Sequence, residues 1–162
     1  MRRRCASARR FASASRPTCT RRCSARKGAV ADARAIAPGL FVCDADGARL
    51  LAGLCAACGK RHFPAAAVCP YCAVAGAREV PVGPAGRLEL YTTVLSRPPG
   101  YRGPVPYGLG VVALDGGLSV IARLTETDLS RLRPGLPMRL VVEALFTDDE
   151  GRPVLSYAFQ PA

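Results

Sequence analysis

From residue 88 onward the chain alternates apolar and polar residues in short runs, each closed by Gly, Pro or Asp. LELYTTVLS (88–96), YGLGVVALD (107–115), LSVIARL (118–124), MRLVVEALF (138–146) and PVLSYAFQ (153–160) each read as a strand with one buried face. Gly116-Gly117 turns the second run into the third, and DDEG (148–151) turns the fourth into the fifth. Between the third and fourth runs, TETDLSRLRPG predicts a single helical turn capped by Thr127 and ended by Pro134-Gly135. Five antiparallel strands with a helical turn between the third and fourth make an OB-fold plan; a sandwich would want about seven strands. Gly108 and Gly110 fall inside the second strand, where a small coiled barrel needs close backbone approach or a bulge.

Upstream the pattern is more broken. Asp46-Gly47 predicts a turn, and Arg49–Ala52 a short strand. The Gly- and Pro-containing stretch at 77–86 reads as a linker between two subdomains. The expected division is a leader at 1–29, a lead-in at 30–48, a small metal-dependent unit at 49–76, the linker at 77–86 and the barrel at 87–162.

That small unit rests on its cysteines. LCAACGKRHFPAAAVCPYC (54–72) is Cys-x2-Cys, ten residues, then Cys-x2-Cys. Each pair can form a knuckle offering two thiolates to one ion, so Cys55, Cys58, Cys69 and Cys72 predict a tetrahedral four-sulfur site. Gly59 follows the second ligand, where a knuckle needs positive φ, and Pro70 stiffens the second knuckle. The set suits structural zinc, with rubredoxin-like iron as the other metal. Four thiolates leave no coordination position for a substrate or an activated water. His62, the one histidine, reads as a loop residue beside a sufficient ligand set, and Cys43 as a half-buried structural cysteine. No catalytic residue is expected: paired carboxylates, a glycine-rich phosphate loop and a histidine to activate Cys43 are all wanting.

Composition alters the picture mainly at the N-terminus. The formal charge of +11 suggests nucleic acid, but residues 1–29 hold ten Arg and Lys and no acid. The remainder holds thirteen basic and twelve acidic residues, a net of +1. Rich in Arg, Ser and Ala, the leader is expected to be disordered. It fits a nucleic-acid-binding arm, a transit peptide, or translated sequence upstream of a true start at Val30, the last being the favoured reading. No apolar run is long enough to span a membrane, no secretory h-region is visible, and zinc thiolates favour a reducing, cytoplasmic setting. Single-stranded nucleic-acid binding, which zinc ribbons and OB-folds both perform, is the competing function, and a near-neutral body argues against it.

The connection after the first barrel strand, SRPPGYRGPVPYG (96–108), is proline-rich and expected to be extended. Tyr101, Arg102 and Tyr107 ride on it, either as a contact for a partner or a ligand phosphate, or as packing over one mouth of the barrel.

The paired knuckles with their intervening HFP, the CPYC pair, and LYTTVLSRPPGYRGPVPYGLGVVALDGG together resemble the DUF35 family over residues 38–160. The resemblance implies a rubredoxin-like zinc ribbon followed by an OB-fold, with Cys55, Cys58, Cys69 and Cys72 as the zinc ligands. It further implies a non-catalytic subunit that stabilises a thiolase-like or lipid-transfer-protein-like acyltransferase or aldolase; an enoyl-CoA hydratase is another partner linked to such proteins. The CoA thioester would be the substrate of the complex, lying at or near the interface, with Tyr101, Arg102 and Tyr107 as candidate contacts to it.

Overall fold

The computed structural model describes residues 33–44 and 47–162. The expectations for the 1–29 leader, and part of the Asp46-Gly47 turn, lie outside them. Strands run in the order β1 (Arg34–Ala35), β2 (Phe41–Asp44), β3 (Gly47–Leu54), β4 (Arg61–His62), β5 (Arg78–Val82), β6 (Ala85–Val94), β7 (Tyr107–Leu114), β8 (Leu118–Leu124), β9 (Pro137–Thr147) and β10 (Pro153–Pro161). The fold is mainly β: a four-cysteine ribbon followed by a closed five-stranded barrel.

The barrel runs β6–β7–β8–β10–β9 and closes where β9 pairs back onto β6. Every neighbouring pair is antiparallel except β10 with β8, which is the OB-fold arrangement. Alternation puts Leu118, Val120, Ala122 and Leu124 of β8 inside and leaves Ser119 and Ile121 outside. Leu88, Val112, Met138, Leu140 and Phe159 fill the same interior from the other strands. Gly108 and Gly110 make the close approaches expected of them. A Cβ on Gly108 would lie 2.2 Å from the Glu126 carbonyl oxygen, and one on Gly110 2.8 Å from that of Leu90. Glu89 is the extra residue of a bulge in β6, and its carboxylate accepts a hydrogen bond from the Ser119 hydroxyl at 2.9 Å.

Three expectations are corrected. Residues 78–82 of the supposed linker form β5, which pairs along β3 from Leu50 to Leu54, and the barrel's first strand already begins at Ala85. The ribbon sheet β2–β3–β4, with β5 added on β3, shares its core with the barrel. Ala48, Leu50, Ala52 and Val82 belong to the same buried cluster as the barrel interior. β5 carries Pro81, but on an outer strand its missing N–H costs no ladder bond. The helical turn is a 3-10 turn at Leu129–Arg131 capped by Asp128 rather than Thr127. Asp128 accepts from the Ser130 amide and hydroxyl, while Glu126 takes the Thr127 and Asp128 amides. The proline-rich connection is not extended throughout: Pro98 and Tyr101 close a turn with Gly100 at φ 77°.

β1 and β2 were not foreseen. β1 is a two-residue strand added in parallel to β10, and Arg34 reaches Asp148 in the β9–β10 turn at 3.0 Å. No helix among the described residues is long and apolar enough to cross a membrane.

Candidate metal centre

Two loops of like construction hold the four cysteines. In the first, the Gly59 amide donates to the Cys55 carbonyl at 2.9 Å and the Cys55 amide to the Lys60 carbonyl at 3.0 Å. In the second, the Ala73 amide donates to Cys69 at 2.9 Å and the Cys69 amide to Val74 at 3.0 Å. Each knuckle therefore needs a left-handed residue just after its second cysteine: Gly59 at φ 71° and Ala73 at φ 58°. Gly59 was legible from the sequence. Ala73 was not, because alanine carries no mark of positive φ, although its offset from Cys72 repeats that of Gly59 from Cys58.

The geometry fits a metal. All four sulfurs lie within 4.8 Å of one another, with Cys55 and Cys72 at 3.6 Å and Cys58 and Cys69 at 3.7 Å. Zinc–sulfur bonds of about 2.3 Å in a tetrahedron place sulfurs about 3.8 Å apart, so these two pairs are consistent with a structural zinc ion. Cys55 and Cys69 are buried; Cys58 and Cys72 face outward. Without a cation the cluster is electrostatically awkward. The Cys58 amide pulls the Cys55 thiol down to about 7. Cys72 receives the Val74 amide, which favours thiolate, yet partial desolvation and three neighbouring sulfurs push it up to about 12. A divalent ion would remove that conflict by binding all four as thiolates.

His62 is no ligand and no loop residue. It sits in β4, 4% exposed, with its ring packed against Gly53 across the β3–β4 ladder. A Cβ at Gly53 would fall 2.2 Å from His62 Nε2, which also lies 3.3 Å from the backbone of Ala66. Histidine here is packing, which sequence alone could not separate from chemistry. Cys43 is half-buried against the shared core, as expected of a structural cysteine.

The three residues on the proline-rich connection come together, but not as a free cationic cluster. Tyr101 and Tyr107 stack at 4.7 Å, and Tyr107 is buried. Arg102 lies 4.7 Å from the Phe146 ring and pairs with Asp149 at 2.7 Å, so its guanidinium is tied to the β9–β10 hairpin. Both tyrosines line an open groove of about 320 Å³, whose apolar wall includes Ile36, Leu109, Leu145 and Tyr157. Leu90 and Ile121 stand exposed on the outer face of the barrel nearby, in register through Val111.

Residues 48–76 match the rubredoxin-like zinc ribbon domain of ChsH2, and residues 79–143 match the C-terminal OB-fold domain of the same protein. The chain is a member of the DUF35/ChsH2 family. Within that family it is 29% identical, over 114 residues, to a DUF35 domain-containing scaffold protein of Pyrococcus furiosus, a match spanning 70% of this chain and 83% of the relative. A scaffold protein of the same description from Methanothermobacter thermautotrophicus is 25% identical over 107 residues, spanning 65% and 80%. Among solved structures the chain is similar to a chain of the Ltp2-ChsH2(DUF35) aldolase at 25% identity and a TM-score of 0.52, covering 70% of this chain and 84% of that one.

Proposed function

We propose that this protein is a non-catalytic accessory subunit that stabilises a thiolase-like or lipid-transfer-protein-like enzyme and helps to form its acyl-CoA site. The observation that carries this reading is the similarity of ribbon and barrel together to the DUF35 component of an aldolase assembled from two kinds of chain. Relatives described as scaffold proteins agree with it. The chemistry supports it too. A closed tetrathiolate would hold zinc as a structural ion with no position open to substrate. The single histidine is locked against a glycine. Carbon–carbon bond chemistry on a thioester needs a nucleophile and a base, and the catalytic subunit would bring both.

Within this reading, Tyr101, Arg102 and Tyr107 form a stiff platform beside the apolar groove, and Arg102 can offer a guanidinium edge to the CoA end of the substrate. Turnover of the catalytic subunit with and without this chain tests the whole reading. Activity should collapse when the chain is omitted, and the chain alone should turn over no acyl-CoA; thioester cleavage by the isolated chain would contradict it. Arg102→Ala in the assembled complex should raise KM for the acyl-CoA with kcat little changed, and an unchanged KM would remove Arg102 from the site. A cytoplasmic setting suits a thiolate site of this kind.

A further inference from the structure

Arg61 follows Lys60, whose carbonyl closes the first metal knuckle, and opens the short strand β4. Its side chain leaves the ribbon and crosses to the barrel. There Nη1 donates to the Asp115 carbonyl at 3.4 Å, in the turn joining β7 to β8. The fit is close: a Cβ on Gly116 would lie 1.0 Å from Nη1, so the guanidinium occupies the space any other residue there would fill. Gly116 and Gly117 both have positive φ, at 80° and 73°, so the turn is built from residues with little conformational preference of their own. Arg61 Nε is buried and meets no acceptor. A buried donor without an acceptor costs free energy, so the contact depends on the strand that carries Arg61 being held in place. His62, packed on Gly53, and the Cys55–Lys60 bond are what hold that strand.

We propose that Arg61 transmits the state of the metal knuckle to the β7–β8 turn, so that loss of the metal loosens residues 115–118 of the barrel ahead of its other turns. The inference rests on the zinc reading, and one experiment separates the two. Hydrogen exchange would be followed across the full-length, zinc-loaded chain and its Arg61→Ala variant, with zinc content measured in both. The variant should keep its zinc and exchange about tenfold faster at Leu114 and Leu118, the ladder pair that closes this turn. The turn at 148–151, which Arg61 does not touch, should be unchanged and serves as the internal reference. Chelation of the unsubstituted protein should accelerate the same amides. Equal exchange in the variant, or a uniform rise over every barrel strand, would overturn the proposal. Purified protein without zinc would instead overturn the metal assignment.

Discussion

The two halves of this molecule solve the stability problem differently. The barrel closes its sheet and buries a continuous set of side chains, with Leu88, Val112, Leu124, Met138 and Phe159 all at or below 1% exposure. The knuckle segment, residues 55–76, buries only Cys55, Cys69 and His62. Val68, Tyr71 and Val74 on it are each at least 45% exposed. Apolar burial cannot fold such a segment, and a metal held by the four-cysteine cluster would supply what is missing. β3 belongs to both regimes. Its first part supplies Leu50 and Ala52 to the common core, and its end leads into Cys55. A small ribbon can thus depend on an ion for its tip and on a neighbour's core for its base.

Removing the ion should have the largest effect. Structural zinc contributes about 10–16 kcal/mol in small peptides. Chelation, or Cys69→Ser, should therefore disorder residues 55–76 and leave most barrel strands folded, which NMR shifts would resolve. Ribbon shifts unchanged after metal removal would break the contrast between the halves. Leu50→Ala, at a fully buried position, should cost about 2–5 kcal/mol in urea unfolding. Because Leu50 serves the common core, ribbon and barrel probes should move together. Separate transitions would mean two independent units.

Ala73→Gly should act in the opposite direction. Relieving a left-handed alanine is expected to stabilise the zinc-loaded ribbon by about 1 kcal/mol or slightly more. A destabilised variant would show that the second knuckle is not strained. The smallest effect belongs to Asp148. The Arg152 amide foremost, with Arg34 beside it, holds its carboxyl down at about 2. A depressed carboxylate contributes stability that is present above its unfolded value of about 3.9 and is lost as pH falls toward 2. Asp148→Asn should flatten the acid-side decline between those values, and an unaltered acid profile would assign Asp148 no such role.

The barrel was legible in the sequence because closed sheets impose a period of two and put glycine where backbones touch, as at Gly108 and Gly110. The four-cysteine cluster was legible because a tetrahedral site requires this spacing of its ligands. What escaped was short or contextual. β1 and β4 span two residues each, too few to carry a period. β5 was hidden by Pro81, whose effect depends on which edge it occupies. Asp128 displaced Thr127 as cap because Glu126 had already taken the Thr127 and Asp128 amides, leaving the Ser130 amide to Asp128. The burial of His62 depends on Gly53, a partner nine positions away on another strand. Arg102, an aromatic neighbour in the sequence, turns out to be anchored by Asp149, 47 residues on.

The proposed role makes this protein one part of a larger enzyme. Its most direct test is to affinity-purify a C-terminally tagged copy at native expression from its own host, weigh the complex and identify what co-elutes. Zinc and a thiolase-like or lipid-transfer-protein-like chain should co-elute at fixed stoichiometry. A zinc-loaded monomer or homodimer with no other protein bound would contradict it.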